Sequence, residues 1–454
     1  MSLPLRKLER HKGKEKRTAK EPKSAIARWL ASTIEVSHLA LILYAFIVVF
    51  LFVMIWSVLH ERQSHVKVPR IAAFEQALPS IANLTGSPIL PGNAVQILQN
   101  GDGFFPPLLA DVARARQSIH LETYVWWKGE ICERVAQALA GKARQGVEVR
   151  ITLDASGSHQ GDKDLYKMME KAGVKIAFYH PFRLGDLALL NNRTHRKLVI
   201  FDGKVAYVFG HGIAEEWMGN GQDMKHWRDT GVRLEGPIVN SVQAVFAQNW
   251  VDETAEVLAG EKYFPHLPAA GRVRAHMTAS APRGGVSEME LLDKLAIATA
   301  QKELIISNPY FIPDQELVDL LANAVQRGVR VRLMIPGKGS DSSVVRHAGH
   351  RQIQALLDKG VEIYEFEPTL SHQKIMIIDG LWSFVGSTNF DDRSLDTNDE
   401  ASVGLIDPQV AAQLKAAFEA DLRGSQRFDA RSWSRRSLWH KLEDNVSYLL
   451  NEQL

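Results

Sequence analysis

The chain spells one nine-residue pattern twice, and this repetition limits its fold more than any other feature. Residues 194–202 read THRKLVIFD and residues 371–379 read SHQKIMIID. Each places a histidine two residues before a lysine, runs through four apolar positions and stops at an aspartate: His195, Lys197 and Asp202 against His372, Lys374 and Asp379. Residues two apart on a strand share a face, so each His–Lys pair projects together. The apolar runs Leu198–Phe201 and Ile375–Ile378 fit central strands buried on both faces. Asp202 and Asp379 have the opposite parity to the histidines and read as structural supports. A lone His-x-Lys carries little information, whereas a duplicate with matched aspartate spacing points to a function that uses two of each group.

The repetition extends beyond these words. SIHLETYVW (118–126) and ELIISNPYFIP (303–313) are both buried strands that end in a polar residue and a tyrosine. Glu122 and Asn308 are the polar residues and stand as candidate substrate contacts. ERVAQALAGKARQGVEVRITLD (133–154) mirrors QELVDLLANAVQRGVRVRLMIP (315–336), each an amphipathic helix closed by glycine and followed by a strand. KAGVKIAFYHP (171–181) matches DKGVEIYEFEP (358–368). The offset between copies drifts from 177 to 187 residues, mostly through the longer loop FRLGDLALLNNR (182–193). Strands alternating with helices predict an α/β fold of two pseudo-twofold lobes, 86–262 and 263–428. Each would hold a mostly parallel central sheet, and the symmetry would bring both histidines to one cleft.

Charge and hydropathy organise the amino-terminal part. Residues 1–28 carry ten Lys/Arg against three Glu, so the overall +2 leaves the remainder at about −5. The uncharged run LALILYAFIVVFLFVMIWSVL (39–59) has the length of a helix that crosses a hydrocarbon core. It lacks a small-residue cleavage site, which favours an uncleaved signal anchor. The expected layout is a basic cytoplasmic tail (1–38), a transmembrane helix (39–59) and a linker (60–85). The positive-inside bias then places the body outside the cytoplasm. A single cysteine, Cys132, excludes an internal disulfide framework and a cysteine-rich zinc site.

The second copy continues into GSTNFDDRSLDTNDEAS (386–402), where Ser387 and Asn389 can donate to an anionic oxygen. Glu400 follows on the next strand, and in the first copy, WRDTGVRLEGP (227–237), its counterpart is Asp229. A carboxylate that accepts from one imidazole nitrogen holds the other poised for chemistry. Two histidines, two lysines and two orienting carboxylates form a symmetric catalytic set: His195, Lys197, His372, Lys374, Asp229 and Glu400.

Here the chain resembles the phospholipase D superfamily, with its doubled H-x-K-x4-D motif, and within it the bacterial cardiolipin synthases. The resemblance covers roughly 86–428; its most specific words are NNRTHRKLVIFDG, NPYFIPD and GSTNFDDRS. It implies phosphodiester exchange through a covalent phosphohistidine: one histidine attacks phosphorus, the other protonates the leaving alcohol, and the lysines with Asn389 neutralise the phosphoryl oxygens. It implies no metal and no cofactor. Its implied partners are phospholipids, phosphatidylglycerol first, and the membrane, with no nucleic acid; the oligomeric state stays open. By family analogy His195 is the nucleophile and His372 the acid. The chain departs from the family at FGHGIAEEW (209–217), where a Gly-Gly-x-Asn word is usual: Phe209 stands at the first glycine and Gly212 at the asparagine. Whether His211 substitutes for the amide is open. A hydrolase using water, either a phospholipase D or a nuclease, is the alternative, as is a non-catalytic lipid-binding protein. A nuclease needs a basic groove, against which a body near −5 argues.

Weaker signals complete the reading. His347 and His350 in RHAGH have helical spacing but no third ligand near them in the sequence, which favours a solvated helix face. IPGKGSDS (335–342) reads as a loop after a strand, His120 as a packed core histidine, and LGDLALL (184–190) as a packed loop or a cleft mouth. In 429–454 Leu438, Leu442, Val446 and Leu449 or Leu450 recur at helical spacing, with Trp433, Trp439 and several arginines at one end. That predicts an amphipathic helix, packed on the second lobe or lying against anionic headgroups.

Overall fold

Leu198–Phe201 and Ile375–Ile378 are buried at every position, as strands covered on both faces must be. They lie near the middle of the two halves in a computed structural model that describes residues 38–54, 66–181, 191–281 and 285–448. The chain divides into two units, 1–60 and 61–454. In the first, residues 38–54 are helical with exposed side chains. No helix among the described residues is long and apolar enough to cross a membrane. The expected transmembrane helix, 39–59, is thus described only as far as residue 54, and the basic tail up to residue 37 lies outside the described residues, as does the tract 184–190.

Among the described residues the second unit is built on fifteen strands. The first half contributes β1 (Leu90–Gln99), β2 (Ser118–Thr123), β3 (Glu148–Asp154), β4 (Lys175–Tyr179), β5 (Leu198–Phe201), β6 (Val205–Phe209) and β7 (Thr230–Glu235). The second contributes β8 (Val273–Ser280), β9 (Glu303–Ser307), β10 (Arg330–Pro336), β11 (Glu362–Phe366), β12 (Ile375–Ile378), β13 (Trp382–Gly386), β14 (Glu400–Ile406) and β15 (Ser425–Arg427). They form one sheet in the order β15-β11-β10-β9-β12-β13-β14-β8-β1-β7-β6-β5-β2-β3-β4, so the two halves share a sheet instead of meeting as two. The junction is the antiparallel pair β1–β8.

The sheet is mixed, not mostly parallel. β2–β3–β4 and β9–β10–β11 are parallel, joined by the helices that the sequence announces. In Glu130–Arg144 the residues Ile131, Val135, Ala136, Leu139 and Ala140 are buried on one stripe, and Gly146 follows at φ +88°. β5–β6–β7 and β12–β13–β14 are antiparallel. The cause is the Asp-Gly that ends each repeated word: Asp202, Gly203, Asp379 and Gly380 all adopt positive φ, and so tight a turn returns the chain beside itself antiparallel. Each turn aspartate also accepts three backbone N–H groups, Asp202 from Arg116, Gln117 and Ser118, and Asp379 from Gln301, Lys302 and Glu303. The carboxylates thereby tie each hairpin to the start of β2 or β9.

Two further boundaries differ from expectation. Within 60–85, helix Phe74–Leu84 is no linker: it buries Phe74, Ala77, Leu78 and Ile81 in the core of the second half, with Phe74 5.1 Å from Trp382. Its apolar residues fall three and four apart, the pattern of a packed helix. The carboxy-terminal segment holds two helices, Ala430–Ser434 and Leu438–Tyr448. The second packs along helix Ser343–Asp358 and turns Leu438, Trp439, Leu442 and Val446 outward. It brings Asp444 to His347 and His350, so a third donor does neighbour the histidine pair, contributed from far along the chain. His120 is buried, stacked on Phe246 and bonded to Gln243.

Candidate active site

The two histidines arrive on segments that cross between the halves. Just before β5, His195 N–H donates to Asp399 O at 2.8 Å and Asp399 N–H to Arg193 O at 2.8 Å. Just before β12, His372 N–H donates to Arg228 O at 2.7 Å and Arg228 N–H to Leu370 O at 2.9 Å. Each histidine segment thus runs parallel to the carboxylate segment of the opposite half. The side chains follow: His195 Nδ1 lies 2.9 Å from Glu400 Oε1, and His372 Nδ1 lies 2.9 Å from Asp229 Oδ2. The sequence matched Asp229 to Glu400 but left open which histidine each serves.

Both lysines sit within the same cluster. Lys197 Nζ donates to His195 O at 2.7 Å, and Lys374 Nζ donates to His372 O at 2.7 Å and stands 2.9 Å from the imidazole. With its Nδ1 held by a carboxylate, each imidazole keeps the other nitrogen for the cavity that both rings line. That cavity is about 270 Å³ and is walled by Tyr124, Trp127, Trp217, Trp227 and Tyr310, with Arg193, Arg393, Asp341, Asp391 and Asn389 as polar groups.

The carboxylates are braced differently. Glu400 accepts from the Ser387 hydroxyl, so Ser387 supports a carboxylate and does not line the cavity. Asp229 accepts from Trp217 Nε1 at 2.9 Å and from Thr230 N–H at 2.8 Å. Gly210 makes room for it, since a Cβ there would stand 2.3 Å from Asp229 Oδ1. At Gly212, where the family's asparagine falls, a Cβ would meet the Trp217 ring at 2.7 Å and Val125 at 2.9 Å. The indole fills the space of the missing amide. His211 does not replace it: the ring is buried, stacks on Phe104 at 4.3 Å, and neither nitrogen has a hydrogen-bond partner among the described residues.

Two other candidates are also displaced from the cavity. Glu122 is buried and accepts from Thr194 Oγ1 at 2.5 Å and Asn249 Nδ2 at 2.7 Å. Asn308 accepts from the Tyr310 and Phe390 N–H groups and donates to Thr388 O. Both brace the loops that carry the site, a role that a strand-end polar residue does not disclose by type alone. Of the groups missed, Arg393 and Asp391 lie inside GSTNFDDRS and the tyrosines follow the strand-end polar residues, so a signal existed. Trp217, Trp227 and Asp341 lie in the words FGHGIAEEW, WRDTGVRLEGP and IPGKGSDS, but the residue type of none of the three marks it as a cavity wall.

Burial decides the electrostatics. Desolvation, helped by the neighbouring ammonium groups, lowers His195 and Lys197 well below their ordinary values and takes His372 down to about 4, while desolvation against the pull of Asp229, Glu400, Asp341 and Asp391 brings Lys374 to about 8. The carboxylates part company. Burial raises Glu400 to about 7, with the lysines opposing. Burial also pushes Asp229 up, but His211, His372 and Lys374 outweigh it and hold the group low. Asp229 therefore keeps its charge at neutral pH while Glu400 titrates there, and such separation marks groups with different proton duties.

Known proteins fit this geometry. Residues 108–250 and 294–422 match the family model described as cardiolipin synthase, PLD-like domain. A cardiolipin synthase of Staphylococcus aureus is 32% identical over 386 residues, covering 84% of this chain and 78% of that one. The major cardiolipin synthase ClsA of Bacillus subtilis is 32% identical over 362 residues, 79% and 75% of the two chains. The solved phosphatidylserine synthase of Haemophilus influenzae superposes with a TM-score of 0.65 over 84% of this chain and 99% of that one, at 11% identity, and so shares the fold.

The raised Glu400 carboxyl has a measurable consequence. The folded state retains its proton between the ordinary value of 4.5 and about 7, so the stabilisation is full below 4.5 and lost as pH rises through 7. Glu400→Gln cannot titrate. Denaturant titrations at pH 5 and pH 8 should show the stability difference moving toward the variant by about 2 to 3 kcal/mol at the higher pH. A difference that stays constant with pH would contradict a buried carboxyl titrating near neutrality.

Proposed function

The chain belongs to the cardiolipin synthase family of phospholipase D-like proteins, and from that premise we propose that it is a membrane-anchored phosphatidyltransferase that forms cardiolipin from phosphatidylglycerol through a phosphohistidine. The observation that carries the reading is the buried crossed pair, His195 with Glu400 and His372 with Asp229, around one cavity. In the first step the free nitrogen of His195 attacks phosphorus, the P–N bond forms, the P–O bond to the headgroup alcohol breaks, and His372, which takes up a proton from solvent when the phosphodiester anion enters and joins Asp229 in offsetting the burial that otherwise keeps the ring neutral, gives that proton to the departing oxygen. In the second, the hydroxyl of an acceptor lipid loses its proton to His372 and attacks phosphorus, the new P–O bond forms and the P–N bond breaks. Lys197 and Asn389, which line the cavity, face the phosphoryl oxygens, Lys374 stands beside the His372 imidazole, and the incoming anion restores the charge that burial suppresses on the lysines.

Asp229 supports His372 as the acid, because the carboxylate that keeps its charge is the better partner for an imidazolium. The aromatic walls support a lipid alcohol over water as acceptor, since Trp127, Trp217 and Trp227 reduce the wetting of the cavity. The membrane reading rests on the uncharged run 39–59, of which 39–54 is helical. The anchor would leave the basic tail in the cytoplasm and the body outside.

Two experiments address this reading. With a substrate whose leaving group needs no proton, His372→Ala should accumulate an acid-labile, substrate-derived phosphate on His195, whereas His195→Ala should form no adduct. Peptide mapping that finds the adduct on His372 in the His195→Ala protein would reverse the roles. For topology, Cys132→Ala carrying one new surface cysteine in the body should react with an impermeant thiol reagent in intact spheroplasts. Reaction only after lysis would reject an extracytoplasmic body.

A further inference from the structure

We infer that His347, His350 and Asp444 form a zinc site that clips the carboxy-terminal helix to the second half of the fold. The two histidines lie three residues apart on helix Ser343–Asp358 and so share a face. Helix Leu438–Tyr448 packs against that face and supplies Asp444, which is buried. One donor atom from each residue falls within 4.8 Å of the others. His347 Nδ1 is 3.0 Å from Asp444 Oδ1, and His350 Nδ1 is 3.6 Å from the same oxygen. Ligands about 2.0 to 2.1 Å from a tetrahedral zinc ion stand roughly 3.3 to 3.4 Å from one another, and the two separations bracket that edge.

The surroundings suit a metal better than an ion pair alone. His350 is 5% exposed, and neither of its ring nitrogens has a hydrogen-bond partner among the described residues. A buried imidazole without a partner is costly, and a metal ion would satisfy the nitrogen that faces Asp444. Arg436 Nη2 forms an ion pair with the other carboxylate oxygen, Asp444 Oδ2, at 2.9 Å, and that oxygen accepts no hydrogen bond among the described residues. The nearby guanidiniums are both engaged, Arg436 by Asp444 and Arg346 by Glu365. Two imidazoles and one carboxylate are a borderline donor set that suits zinc over calcium or magnesium, and three protein ligands leave the fourth position for water.

The clip would join two functional surfaces. Helix Ser343–Asp358 starts from the loop that carries Asp341, a cavity residue that accepts from the Tyr310 hydroxyl at 2.5 Å. Helix Leu438–Tyr448 turns Leu438, Trp439, Leu442 and Val446 outward, an apolar face next to several arginines. A metal at their junction would fix the outward-facing helix relative to the cavity wall.

The test uses the full chain in detergent, stripped with chelator and titrated with zinc alone. One zinc ion per chain should bind with a dissociation constant below about 1 μM, and His347→Ala and Asp444→Asn should each weaken it by about 10- to 100-fold. His440→Ala, which removes an exposed imidazole on the same carboxy-terminal helix outside the cluster, should leave the stoichiometry at one. Zinc should also slow amide hydrogen exchange across 438–448 in the unmodified chain and not in His347→Ala. His347 is only half-buried, so its variant folds without a core cavity and keeps the comparison interpretable. Zinc binding unchanged by His347→Ala and Asp444→Asn, no binding below about 100 μM, or exchange indifferent to zinc would overturn the site.

Discussion

Each imidazole of the repeated motif takes its carboxylate from the other half of the molecule, and the rest of the architecture follows from that exchange. Glu400 on β14 reaches His195 before β5, and Asp229 beside β7 reaches His372 before β12. Neither half can complete a histidine–carboxylate pair alone, so duplication produced one site and not two. The parallel bridges at 194/399 and 228/371 fix the distance between halves, and the β1–β8 junction makes the sheet continuous beneath them. A slip of one residue at either bridge would turn a histidine away from its partner, so backbone register and chemistry are constrained together.

Burying two histidines, two lysines and two carboxylates in one cluster is expensive, because each charged form loses solvation. The fold answers with mutual pairing and with neutral forms: both imidazoles and both lysines are shifted toward the uncharged state. A phosphodiester anion entering such a site meets donors already in position and supplies the counter-charge they lack, which is the preorganisation that phosphoryl transfer uses. The two halves are not equivalent in this. The second uses Ser387 to brace Glu400, while the first uses glycine at 210 and 212 and a tryptophan, Trp217, whose N–H holds Asp229. The altered FGHG word is thus a different solution to the same bracing problem, and it makes the first-half carboxylate the more strongly charged of the two.

Much of this was legible in the sequence because strand periodicity is rigid. A period of two puts His195 with Lys197 and His372 with Lys374, and the amphipathic helices closed by Gly146 and Gly328 mark the parallel parts of the sheet. The antiparallel parts are also written, in the Asp-Gly pairs at 202–203 and 379–380: the parity that marks the aspartates as structural supports agrees with their place in the hairpins, whereas the turn that each forms with its glycine is not read from parity. What had no local signature was long-range contact. Nothing in the residues around Glu400 says that it faces His195, nothing around Glu122 says that it points at Thr194 and Asn249, and Asp444 gives no hint of His347 and His350. Those pairings depend on how distant segments pack, and polar residues near a strand end look alike whether they face a cleft or brace it.

In the proposed mechanism, crossed pairing assigns the activation of His195 to Glu400 and leaves Asp229 without a part in it. The direct measurement is the single-turnover rate of phosphohistidine formation in a His372→Ala background, with a leaving group that needs no proton. Adding Glu400→Gln should slow that step by about 100-fold, while adding Asp229→Asn should change it by less than about threefold, because its own imidazole is already gone. If Asp229→Asn slows adduct formation and Glu400→Gln does not, each histidine is served by its own half and the crossed site is wrong.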